Sequence, residues 1–316
     1  MTKVLKICGR VALIALCSLL VLILLLWGGL NIAKFVIYSD YYSASESLCK
    51  NPGLNDGFVC QGIAMCDGKD KILVSGYMAD DSASRIYVTD LDSNSYYVTL
   101  TRGGEEFTGH AGGVAVTDDT VYLANGKKIY TFSLDSVLNA KNGDAVEIGE
   151  GVKVNNSASF VFTDETHLYV GEFHDGGKYV TEHPYETAEG MHYAIVSRYS
   201  LDDLTTPEKI YSIRNKVQGI AFTEDGKVVM STSYGLTDTV YYVYNEADAT
   251  DSGLTLDGAP VFYLDNCVKE IKGPAMGEDL DVYGGKLITL TESASDKYIF
   301  GKFFFANKIV SIDFSK

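Results

Sequence analysis

Apolar positions along this chain fall into two regimes. Residues 11–30 form an unbroken apolar run without a charge. Beyond it, apolar and polar residues alternate in short segments rich in Val, Ile, Tyr and Phe, punctuated by Gly, Asp and Asn. Period-two alternation marks half-buried strands, whereas the helical period of 3.6 is nearly absent past the first run. The pattern predicts one apolar helix followed by an all-β domain.

Within that domain a phrase of small, apolar, small and apolar residues recurs, each time followed by a Gly or acidic turn and a second strand. It reads Gln61-Gly62-Ile63-Ala64-Met65 before 71–77, Gly112-Gly113-Val114-Ala115-Val116 before 120–124, and Ala158-Ser159-Phe160-Val161-Phe162 before 167–173. It returns as Gln218-Gly219-Ile220-Ala221-Phe222 before 227–233 and Glu278-Asp279-Leu280-Asp281-Val282 before 286–292. Third strands are predicted at 85–91, 128–134, 194–201, 239–244 and 308–314, and fourth strands at 96–100, 145–148, 209–213 and 261–264.

Units of four strands at a period of about 45–60 residues are the signature of propeller blades. First strands line the crowded channel, which explains their small residues. The predicted fold is therefore all-β: a β-propeller of five four-stranded blades (six is the alternative) preceded by one N-terminal transmembrane helix. The fifth unit lacks a fourth strand after Phe314, so ring closure is expected to borrow a strand from within 36–59.

The Gln-Gly-Ile-Ala phrases at 61 and 218, Gly-Gly-Val-Ala at 112 and strands such as Lys128-Ile129-Tyr130 resemble the broad β-propeller superfamily of secreted proteins. That superfamily includes the lactonase-like (SMP-30) and YVTN/NHL-repeat types, and the resemblance spans roughly 60–314. It implies the fold. Function is left open, because the same repeats serve enzymes and binding modules. Lactonase-like members hold a central metal on Glu, Asp and Asn at inner positions; here Glu278 and Asn125 match in chemistry. Gln61 and Gln218 depart from the pattern, standing where stronger ligands are expected.

The charges around the apolar run set the expected topology. Lys3, Lys6 and Arg10 precede it and Trp27 lies near its far end. Twenty residues at about 1.5 Å each match a hydrocarbon core of about 30 Å, and basic flanks favour the cytoplasmic side. The expected segments are a cytoplasmic tail at 1–10, an anchor at 11–30, a linker with the possible ring-closing strand at 31–59, and the propeller at 60–316, held outside the cytoplasm at the cell membrane. The rival is a cleaved signal peptide, but the run exceeds the usual h-region and Trp27-Gly28-Gly29-Leu30-Asn31 offers no cleavage site. Cys17 follows Leu16, which does not suit lipoprotein processing.

Net charge is −16, and residues 1–34 carry four basic side chains and no acid, leaving −20 on the rest. Such a domain repels nucleic acid and anionic lipid. Four cysteines lie outside the anchor, at Cys49, Cys60, Cys66 and Cys267; two disulfides allow three connectivities, and a Cys49–Cys267 bridge would close the ring.

Strand direction predicts the working face. Starts of first strands, ends of second strands and the loops after second strands share one mouth of the channel. That mouth gathers Gln61, His110, Gln218 and Glu278 from strand starts, and Tyr77, Asn125, Glu172, Tyr234 and Glu292 from strand ends, beneath long loops at 174–192 and 293–307. Polar groups under long loops are the default propeller site. Ordered water is the plainer occupant. Glu278 and Asn125 are the candidate Ca²⁺ ligands and His110 the candidate general base. Asp279 and Asp281 are expected to point away from Glu278. His174, His183 and His192 fit no compact zinc spacing and read as a polar lid. No Gly-x-Ser-x-Gly elbow or phosphate-binding Gly loop is present.

Two functions follow. One is a tethered module binding a small-molecule ligand or an envelope protein. The other is a metal-assisted hydrolase of lactones, esters or sugar derivatives.

Overall fold

A computed structural model describes residues 2–66 and 68–315; Met1, Asp67 and Lys316, which fall inside the predicted tail and propeller, lie outside the described residues. The chain opens with a helix over Thr2–Ile37, which is long and apolar enough to cross a membrane over Lys6–Ile37. A short helix, Ser39–Ala44, then lays Tyr41 against Tyr241 with ring centroids 6.0 Å apart.

Five blades follow, as the repeat predicts. Blade one comprises Phe58–Cys66, Lys71–Met78, Arg85–Asp90 and Ser95–Arg102. Blade two begins with Gly113–Thr117, Thr120–Asn125 and Lys128–Ser133. Blade three comprises Phe160–Thr163, His167–Gly171, Ala194–Ser200 and Asp203–Ile213. Blade four begins with Val217–Phe222, Lys227–Thr232 and Thr239–Asn245, and blade five with Gly277–Tyr283, Lys286–Thr291 and Lys308–Ile312. Inner strands are buried on both faces, so they read as near-continuous apolar runs rather than alternating ones; all nine residues of Phe58–Cys66 are buried.

Blade five is completed by Ser45–Lys50, which pairs antiparallel to Lys308–Ile312 with Ser45 opposite Ile312 and Lys50 opposite Lys308. Its Cys49 is buried with Phe58, Ile72, Leu290 and Ile309 in the core between the first and last blades. The ring is therefore closed by a backbone ladder and apolar packing. The disulfide expected between Cys49 and Cys267 does not form: both are thiols, one inside that core and the other beside the outer strand of blade four.

Two fourth strands differ from expectation, in the same way. The segment at 145–148 does not complete blade two. Ala145–Glu147 instead runs parallel to the outer strand of blade one, Ala145 opposite Thr99, and blade two ends with Val152–Lys153. Likewise 261–264 does not complete blade four. Ala259–Tyr263 runs parallel to the outer strand of blade three, Val261 opposite Ile210, and Lys269–Gly273 is the fourth strand. In each even blade the excursion after the third strand swings back over the preceding blade and covers its open edge, a standard protection for exposed strand hydrogen-bonding groups.

Candidate functional site

The inner strands meet so closely that only glycine fits at several points. A Cβ on Gly62 would lie 2.5 Å from the Val114 backbone nitrogen, one on Gly113 2.6 Å from that of Val161, and one on Gly219 2.5 Å from the Asp279 Cα. Blade five substitutes acids for small residues, and these stitch the ring. Asp281 Oδ2 accepts the Met65 N–H of blade one at 2.6 Å, and Asp279 accepts its own neighbour, Leu280, at 3.0 Å. Asp279 also draws on the N–H groups of Ile63 and Val114. Burial raises its carboxyl pKa well above the ordinary value, and these backbone donors oppose the rise. Both aspartates are thus joints between blades, consistent with their pointing away from Glu278.

Above this constriction, side chains form two hydrogen-bonded groups, one joining blades one and five and the other joining blades four and five. Gln61 Nε2 donates to Glu292 Oε2 at 2.9 Å and to its neighbour's carbonyl, Cys60 O, at the same distance. Gln218 Nε2 reaches Glu278 Oε1 at 3.4 Å. Tyr298 hydrogen-bonds Glu292 and lies 3.5 Å, hydroxyl to hydroxyl, from Tyr77. Lys297 Nζ donates to the Tyr77 hydroxyl at 2.5 Å, and the His110 ring stacks on Tyr77 with centroids 4.5 Å apart.

The electrostatics follow from burial. Glu278 is 3% exposed and Glu292 9%. Loss of water raises the Glu278 pKa well above the carboxylate range, and the neighbouring charges of Glu292 and Asp279 add to it. Burial lifts Glu292 to about 7, against the pull of Tyr298, Lys297 and Gln61. Two carboxyls so close and so dry favour a retained proton at neutral pH. His110 moves the other way, down to about 4, first through the protein packed around it and then through Lys297 and Lys178. Its residue surface is nevertheless open to solvent, which tempers the first cause. The imidazole is uncharged at neutral pH.

The remaining predicted residues are occupied elsewhere. Asn125 gives its carboxamide oxygen to the Ala111 N–H at 3.2 Å, holding the turn that carries His110. Glu172 is a buried tie within blade three: it bonds His183 Nδ1 at 2.8 Å and accepts from Ser157 and Ile195. Tyr234 hydrogen-bonds Asp175 and walls a separate pocket of about 290 Å³ with His192, Arg214 and Lys216. The loop histidines are dispersed, His174 to Thr181, His183 to Glu172 and His192 to Ser212. Among the described residues no three His, Cys, Asp or Glu side chains converge as metal ligands. The partners of Glu278 and Glu292 at this mouth are amide N–H groups and a hydroxyl, which are donors rather than co-ligands.

Sequence reasoning missed Lys297 and Tyr298. Both sit in the loop at 293–307, where no strand period assigns a direction, and its length was the only signal.

No protein-family model matches the chain, and no curated protein does. Its structural likenesses are to β-propeller proteins. The PQQ-bound aldose sugar dehydrogenase from Streptomyces coelicolor is 15% identical, with a TM-score of 0.45, over 78% of this chain and 76% of that one. Nidogen, in its complex with laminin, is 12% identical with a TM-score of 0.40 over 74% and 73% of the two chains. BamB from Moraxella catarrhalis is 9% identical with a TM-score of 0.34 over 80% and 82%. These likenesses concern the fold.

Proposed function

We propose that this chain is a membrane-anchored, extracytoplasmic binding module whose ligand sits on the channel mouth, over Tyr77, His110, Lys297 and Tyr298. The supporting observation is the desolvated Glu278–Glu292 pair, held by amides from two other blades. A carboxyl pair that retains a proton offers both donor and acceptor, and the stacked Tyr77–His110 rings offer a flat apolar face. That combination suits a polyhydroxylated small molecule or the glycan of an envelope partner. The test is thermal stabilisation of the full chain by a panel of saccharides, in wild type, Tyr77→Ala and Glu292→Gln. A rise of a few degrees that both substitutions abolish supports the reading. A rise that survives both counts against this mouth.

One observation favours hydrolysis instead. A carboxyl near pKa 7 beside a second one is suited to general acid–base work. In the metal-assisted version Glu278 and Asn125 would be the Ca²⁺ ligands and His110 the base, and Asn125 would have to give up the Ala111 N–H that it holds here. Calcium-dependent stabilisation lost in Glu278→Gln, with turnover on a lactone panel, is its signature. Absence of both excludes it.

A further inference from the structure

We infer that the channel-mouth face of the propeller lies flat on the bilayer that its own N-terminal helix crosses, with Ile299 and Phe300 set among the lipid headgroups. The inference rests on reading that helix as a membrane anchor. If residues 11–30 fill the hydrocarbon core, Trp27 stands at the level where aromatic side chains meet the headgroups.

The propeller reaches that level. Phe305, in the blade-five loop beside the mouth, meets Trp27 edge-on with ring centroids 5.4 Å apart, and Lys34 lies 5.4 Å from the same Phe305 ring. A second link comes one turn later, where the Tyr38 hydroxyl donates to Asp238 at 2.9 Å. Asp238 belongs to the loop after the second strand of blade four, which opens on the same face. The anchor is thus seated on two mouth-side loops, so that face turns toward the membrane.

The surface chemistry of those loops agrees. Ile299 and Phe300 are 73% and 71% exposed. Phe303, Leu236 and Val180, from the equivalent loops of blades five, four and three, are exposed as well. Tyr179 and Met191 of the blade-three loop and Tyr234 of the blade-four loop are exposed too, whereas Leu91, Leu254 and Val268 are the other large hydrophobic side chains exposed on the propeller among the described residues, and they are scattered singly. Exposed apolar side chains gathered on the loops of one face mark something that covers it. Lys178, Lys297 and Lys302 are interspersed among them, an aromatic, aliphatic and lysine mixture suited to the interface. On this placement the mouth opens into the headgroup layer, and ligands arrive along the membrane plane.

The single native tryptophan makes this measurable with the full chain in nanodiscs of phosphatidylcholine, brominated or not at shallow acyl positions. Wild type reports on the anchor through Trp27. Trp27→Phe combined with Ile299→Trp, and separately with Phe300→Trp, reports on the face. Trp27→Phe with Leu254→Trp is the control, and each variant is used only if its melting curve matches wild type. Brominated lipid should remove at least about half the emission at positions 299 and 300 and leave position 254 nearly unchanged. Quenching of Trp27 without quenching at 299 or 300 overturns the inference while keeping the anchor. Emission at 299 and 300 that is shielded from aqueous acrylamide yet untouched by bromine assigns the face to another protein or a second copy, and overturns it too. An unquenched Trp27 removes the anchor itself.

Discussion

Gln61 of blade one donates to Glu292 of blade five at 2.9 Å, although 231 residues separate them in the chain. The bond crosses the joint where the ring closes, and its acceptor is a carboxyl that prefers to keep its proton. A group whose pKa rises on folding stabilises the fold fully below its unfolded value and loses that contribution as pH climbs through the folded one. For Glu292 the window runs from 4.5 to about 7, and Glu278 acts in the same sense. Wild type should lose stability on the order of 3 kcal/mol across it from Glu292. In Glu292→Gln that dependence should flatten, with the variant gaining on wild type at pH 8. Melting curves at pH 5 and pH 8 decide the matter; parallel losses in both proteins would falsify the buried acid.

His110 should stay uncharged down to about pH 4, because packing and the ammonium groups of Lys297 and Lys178 oppose its protonation. Imidazole resonances followed by NMR should show no titration near 6. A midpoint close to 6.5 would mean that the open side of the ring dominates.

Gly62→Ala should be among the most damaging small substitutions in the molecule. Its Cβ would press on the Val114 nitrogen at 2.5 Å, and backbone cannot rotate away as a side chain can. A loss of about 3 kcal/mol or more is expected, at the upper end of overpacking costs. Gly104→Ala is the comparison: its Cβ meets open space, and only its φ of +81° resists, at roughly 1 kcal/mol. Denaturant midpoints for the two should differ clearly.

Arg214 joins blades three and four. It contacts Glu189 Oε2 at 2.6 Å and the Tyr244 hydroxyl at 2.5 Å, and lies 4.0 Å from the Tyr242 ring centroid. Glu189 also accepts the Cys267 N–H at 2.8 Å. Arg214→Ala leaves a mostly buried carboxylate without its cation and should cost about 2–3 kcal/mol. Arg214→Ala combined with Glu189→Gln should recover part of this, as a double-mutant cycle would show.

The five blades were readable because the channel imposes a composition: residues such as Gly62, Gly113 and Gly219 are required by backbone contact, not by local preference. Gln61, Gln218, Glu278 and Glu292 were readable for a related reason, since their places at strand starts and ends fix them on one face. The outer strands were not. Alternation at 145–148 and 261–264 identifies strands but says nothing about which edge they join, and both cross to the neighbouring blade. Lys297 and Tyr298 escaped because loop residues carry no period, and Glu172 and Asn125 were over-read because position on a face does not reveal an existing partner.

The closing strand, Ser45–Lys50, follows the N-terminal apolar helix almost at once, while its partner Lys308–Ile312 lies far downstream. A chain synthesised from its N-terminus would present the first half of that ladder early and wait for nearly the whole propeller before the second half arrived. Until then the first blade would have no neighbour across the joint, and the buried cluster around Cys49 and Phe58 would face water. Completion would be a late, long-range step, so this domain should depend on protection while it folds more than its final stability suggests.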